Sequence, residues 1–165
     1  MLSKTVLDKL NSQVNLEFFS SNSYLQLSAW CDHQGLEGSA RFLRAQANEE
    51  MEHMYKIFDY ILDSGAMADL GAIEKPELTV KSLKDVFEQT YAHEQYITKQ
   101  INDLVAVTLE EKDFSTFNFL QWYVSEQHEE EKLFKSILDK IDIIGLDGRG
   151  LFMIDREIGN LLAQH

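Results

Sequence analysis

The chain has 165 residues, 44% of them hydrophobic and 26% charged, which suits a single domain (1–165) and excludes two of ordinary size. Its formal net charge of -13 excludes the basic surface that nucleic-acid phosphates or anionic membranes require, and favours cations as partners. One cysteine, Cys31, excludes an internal disulfide framework. With no apolar leader after Met1 and no run of roughly 18 apolar residues to cross a bilayer, a cytoplasmic protein is expected.

Glycines and the lone proline, Pro76, leave four long segments free of breakers, roughly 4–33, 39–64, 83–111 and 115–143. Each carries apolar residues at helical spacing. The first sets Leu7, Leu10, Val14, Glu17, Ser21, Tyr24 and Ser28 on one face, and the second Phe42, Gln46, Glu50, His53, Ile57 and Tyr60. The third steps through Leu83, Phe87, Thr90, Glu94, Ile97, Ile101 and Leu104, with Ser82 and Asp85 as a capping pair at its start. The fourth runs Phe117, Leu120, Val124, Gln127, Glu130 or Glu131, Phe134, Ile137 and Ile141.

The connections set the topology. Residues 34–38 and 112–114 are short, so helices one and two, and three and four, should be antiparallel neighbours. Residues 65–82 are long enough to run the length of the bundle, so helix three can start at the same end as helix two. The expected fold is all-α: a four-helix bundle over 4–143 with a long crossover, plus a short fifth helix at about 148–163. The Leu151, Phe152, Ile154, Ile158, Leu161 and Leu162 side chains of that fifth segment cannot all be buried on one bundle. It reads as a contact between subunits.

The seams are not wholly apolar. Glu17, Glu50, His53, Glu94, Gln127 and Glu130 fall near the middle of their segments, on the faces that should be core. Burying carboxylates without partners costs several kcal/mol per ion, comparable to the whole stability of a domain. The usual counter-charges are missing, because residues 10–40, 45–55, 85–98 and 113–131 contain neither Lys nor Arg. The compensating charge is then either protons or a bound cation. Oxygen ligands with one imidazole suit a first-row divalent metal, and Glu50-x-x-His53 puts two such groups one turn apart. Glu49, Glu126 and Glu129 flank this layer, and read either as a solvated acidic stripe or as a holder of a further ion. Tyr24 has a seam position that suits either packing with one hydrogen bond or a role at the layer, and Trp122 reads as structural. His33, His93, His128 and His165 read as surface histidines, and Cys31 reads as a small buried side chain.

These residues resemble the ferritin-like di-iron carboxylate proteins, closely the non-haem bacterial ferritins, whose known pattern is Glu and Glu-x-x-His ligands inside a bundle. The stretch 118–131, Asn-Phe-Leu-Gln-Trp-Tyr-Val-Ser-Glu-Gln-His-Glu-Glu-Glu, is similar to that family's fourth helix. The resemblance implies a first iron on Glu17, Glu50 and His53, and a second on Glu50, Glu94 and Glu130 with Gln127 beside it. It implies a third on Glu49, Glu126, Glu129 and Glu130, and Tyr24 and Trp122 as sources of an extra electron. It further implies a ferroxidase that uses dioxygen or peroxide, and a hollow shell of twenty-four subunits storing ferric mineral. Gln127-x-x-Glu130 replaces the second Glu-x-x-His of the general di-iron pattern, which suits a weakly held second iron. No haem is expected, because Glu52 stands where haem-containing relatives have a methionine, and Met51 and Met54 read as core filler. The rival readings are a non-redox divalent-metal buffer, a helical interaction protein with an acidic core, and a DNA-protecting mini-ferritin. The acidic charge and the segment after the bundle argue against the last.

Overall fold

In a computed structural model, which describes the backbone of residues 1–164 and the side chains of 1–162, the chain is entirely helical outside its connections. Four long helices, α1 (Lys4–His33), α2 (Glu37–Asp63), α3 (Leu83–Glu110) and α4 (Phe114–Ile144), are followed by α5 (Gly148–Asn160) and a 3-10 turn (Leu161–Gln164). His165 lies outside the described residues. The expected segments fall within two residues of the observed bundle helices. The largest error is the start of α2, where the Gly38 that reads as a breaker is inside the helix.

Local chemistry fixes the ends. Ser82 and Asp85 form the expected reciprocal capping box, with Asp85 N donating to Ser82 Oγ at 3.1 Å and Ser82 N to Asp85 Oδ2 at 3.0 Å. Three bundle helices close on a left-handed residue, at Gly35, Gly65 and, without a glycine, Lys112. In each, the next amide donates back to a carbonyl of the last turn: Leu36 to Cys31, Ala66 to Ile61 and Asp113 to Thr108.

α1 and α2 form one antiparallel pair and α3 and α4 the other. The crossover 64–82 runs along α1, where Asn11 Oδ1 accepts from Asp69 N at 2.9 Å and Asn15 Oδ1 from Gly71 N at 3.1 Å. It ends beside Gln26, so α3 begins at the end of the bundle where α2 begins. The core is divided. One apolar cluster, built on Leu27, Phe42, Leu43, Phe87, Phe134 and Ile137, fills the end near α5. A second, built on Leu10, Val14, Ile57, Ile97, Ile101 and Leu120, fills the other. Between them lies a buried polar layer.

α5 turns back over its own bundle instead of being left free. Ile154 and Ile158 are fully buried, Leu161 is nearly so, and Leu151 and Leu162 are half-buried against the first cluster. Only Phe152 of the six apolar residues stays exposed, joined by Met153. The reading of this helix as chiefly a contact between subunits is therefore corrected: most of its apolar side completes the core of its own chain. The packing is close, since a Cβ on Gly38 would lie 2.1 Å from the Asp155 carbonyl oxygen.

Candidate metal centre

α4 shows how the sequence places the centre. Its buried residues, Thr116, Leu120, Tyr123, Gln127, Glu130, Phe134, Ile137 and Ile141, alternate in steps of four and three, a single seam facing the other helices. Gln127 and Glu130 occupy two of these positions, so their burial follows from the repeat. The same holds for Glu17 on α1, Glu50 and His53 on α2, and Glu94 on α3. All six expected layer residues are at most 4% exposed.

The side chains converge in two groups. Ligand atoms of Glu17, Glu50 and His53 lie within 4.8 Å of one another, all buried. Glu49, Glu126 and Glu130 form a second such group, nearer solvent. Glu50 Oε2 is 3.4 Å from His53 Nδ1, and Glu126 Oε1 is 3.7 Å from His53 Nε2, so the imidazole links the two. Glu94 joins neither group; Tyr24 donates its hydroxyl proton to Oε1, and Gln127 Nε2 donates to Oε2 at 2.9 Å. Glu129 is exposed and does not join the second group.

Among the described residues, no Lys or Arg forms an ion pair with a residue of the layer. The acids respond by retaining protons. Burial, then the neighbouring Glu50, pushes Glu17 well above the usual carboxylate range, and burial, then Glu94, does the same to Glu50. Hydrogen bonding between the two raises Glu17 and lowers Glu50, as expected of two acids sharing a proton. Burial lifts Glu94 to about 7 against the opposing bonds from Tyr24 and Gln127. Burial and the charge of Glu94 lift Glu130 to about 9. Among the described residues, two buried carboxylate oxygens, Glu17 Oε2 and Glu130 Oε2, receive no hydrogen bond from any group other than a neighbouring acid. An oxygen buried without a donor is costly, and one beside each group suits a ligand set for a divalent cation.

Several supporting residues escaped the sequence reading. Gln13 Nε2 donates to Glu17 Oε1 at 2.8 Å, and Tyr123 donates to the His53 carbonyl at 2.6 Å. Both lie on their seams, at four residues before Glu17 and four before Gln127, so spacing could have found them. The fourth seam passes through Tyr123 and not Val124, the second ends on Ile61 and not Tyr60, and the first opens on Val6 and not Leu7. His93 is not a surface histidine: its Nε2 is 2.6 Å from Ser20 Oγ, its ring packs edge-on to Tyr24, and burial lowers its pKa to about 4. His33 and His128 are exposed, as expected. Cys31 is buried with a free thiol, and Met54 is buried core. Trp122 is 39% exposed and meets the His53 ring edge-on at 5.2 Å between centroids.

Comparison with known proteins agrees with this geometry. Residues 7–144 match the family described as ferritin-like domain. A "Probable bacterial non-heme ferritin-like protein" of Haemophilus influenzae is 62% identical over 161 residues, 98% of each chain. A "Bacterial non-heme ferritin" of Escherichia coli is 50% identical over the full length of both chains. Among solved structures, a ferritin of Chlorobium tepidum superposes with a TM-score of 0.87 at 55% identity, covering 96% of this chain and 98% of that one. An open-pore ferritin of the archaeon Archaeoglobus fulgidus reaches 0.94 at 40% identity, with the same coverage.

Proposed function

The chain belongs to the ferritin family, among the bacterial non-haem ferritins, and from that premise we propose that Glu17, Glu50, His53, Glu94, Gln127 and Glu130 form its ferroxidase centre. Ferrous iron is the substrate and ferric mineral the product, stored inside a shell. One observation carries the assignment. Carboxylates of four helices and an imidazole are buried together in the core with raised pKa values and orphaned oxygens, and among the described residues none of them is paired with Lys or Arg.

The chemistry follows from this arrangement. Two ferrous ions displace the protons of the layer, because ligating carboxylates must be ionised. Glu50 groups with Glu17 and His53 and also feels the charges of Glu94 and Glu130, so its two oxygens suit a bridge. Two electrons, one from each ion, reduce one dioxygen to peroxide, and hydrolysis of the ferric ions releases protons. Gln127 and Tyr24 both donate to Glu94, which orients its carboxylate and leaves it less free to grip the ion it faces. Loosely held ferric iron can then leave for the mineral. Tyr24, hydrogen-bonded at the centre, and Trp122, against His53, are placed to supply a further electron. Glu49, Glu126 and Glu130, with Glu129 at their edge, hold a third ion on its way in or out.

Ferritins form oligomeric shells; for this chain we assign twenty-four copies, with dioxygen or peroxide as oxidant. Among the described residues, no helix is long and apolar enough to cross a membrane. A cytoplasmic setting suits the lone reduced thiol of Cys31. Mixing apoprotein with ferrous salt in air tests the reading. Ferric absorbance should rise rapidly in the wild type and more than about tenfold more slowly in Glu50→Ala. A Glu50→Ala protein that matches the wild type sinks the assigned centre. Iron binding without oxidation in the wild type leaves only a divalent-metal buffer.

A further inference from the structure

We infer that Lys56 is a built-in counter-cation at the mouth of the metal centre, weakening the hold of its outer carboxylates on divalent ions. The inference rests on the reading of the layer as a metal site. A cavity of about 420 Å³ is lined by Glu49, Glu52, His53, Lys56, Trp122 and Glu126. Glu52, Lys56 and Trp122 are exposed, Glu49 and Glu126 half-buried and His53 buried, so the cavity leads from solvent to the imidazole. It brings the outer group Glu49–Glu126–Glu130 and the inner group Glu17–Glu50–His53 to one opening.

Lys56 is the only cation among the lining residues. Its Nζ lies 4.4 Å from the centroid of the Trp122 ring, which itself stands edge-on to His53. The indole face thus fixes an ammonium that would otherwise wander on a flexible stem. Lys56 follows His53 by one turn and Glu49 by two, a rise of roughly 10 Å between backbone positions that sets the scale of the charge separation. A unit charge at that distance lowers the affinity for a divalent ion roughly two- to fivefold in a water-like medium. It is too weak to exclude ions and strong enough to shorten their stay. Ions that reach Glu49 and Glu126 are therefore passed on instead of accumulating at the entrance.

The test is calorimetric titration of assembled apoprotein with Zn²⁺, which binds oxygen and imidazole ligands without redox chemistry. Wild type, Lys56→Met and Lys56→Arg are compared at low salt and at about 0.5 M salt, where charges this far apart are screened. Lys56 is exposed, so each variant should fold. Lys56→Met, which keeps the aliphatic stem, should bind the outer ions two- to fivefold more tightly at low salt, with the difference gone at high salt. Lys56→Arg, which keeps the charge and the stacking, should match the wild type. Equal affinity in Lys56→Met and wild type overturns the inference, as does a tightening that survives salt or appears equally in Lys56→Arg. Wild-type protein that binds no Zn²⁺ overturns the metal-site reading and this inference with it, whereas binding unchanged by Lys56→Met overturns this inference alone.

Discussion

Glu94 and Glu130 give the centre a measurable signature without any metal, because their protons stay on at a pH where an exposed glutamate has long lost its own. With pKa values of about 7 and about 9, both above the ordinary 4.5, they bind protons in the folded chain that the unfolded chain has released. Stability therefore falls as pH rises wherever the native state holds the extra protons. The apoprotein should lose stability between about pH 5 and 9, most steeply below about pH 7, where both residues hold a proton that the unfolded chain has released. A divalent ion should reverse the trend by replacing those protons. Thermal unfolding across that range, with and without Zn²⁺, checks both; an apoprotein that becomes more stable from pH 6 to 9 contradicts the assigned protonation. The six layer residues were legible in the sequence because a seam position is a burial statement, and the missing lysines and arginines were countable. Their partners were harder to read. Tyr123 and Gln13 look like ordinary seam residues, and His93 is half-buried through its contacts with Ser20 and Tyr24 of α1, which no local spacing encodes.

At the scale of elements, α2 and α5 depend on each other. The cap residue of α2, Leu36, has no side-chain acceptor for the first amides. Asp155 of α5 supplies it from a distance in sequence, accepting from Gly38 N at 3.0 Å and Ser39 N at 2.8 Å. Asp155→Ala should cost about 1–2 kcal/mol in denaturant unfolding. Gly38→Ala should cost more, because its methyl would meet the Asp155 backbone and lift α5 from the bundle. Unchanged stability in both would show that α5 is not a capping element. Long periodic segments made the four bundle helices legible, and loop length gave their order. The seat of α5 was not legible, since its apolar residues suit its own bundle or a neighbouring copy equally well. Only the shape of the groove at Gly38 and Gly159 decides between them.

The whole molecule still leaves apolar surface uncovered at the α4–α5 end, where Ile143 is 83%, Phe152 71% and Met153 55% exposed. Closed assembly of many copies is a natural way to cover it. Light scattering of the native protein should give a mass close to twenty-four times the 19.1 kDa subunit. A particle half that size, or a monomer, removes the proposed shell while leaving the fold intact.

The polar layer between the two apolar clusters also acts on the chain before any ion arrives. Heptad-like seams such as that of α4 can slide past one another by one repeat and still match oil to oil. Here a slip would push Glu17, Glu50, Glu94 or Glu130 into hydrocarbon and strand Tyr24 and Gln127 from the acid they serve. Like notches on a key, the six side chains permit one alignment of the four rods, and geometry suited to binding is inherited from the folding code itself.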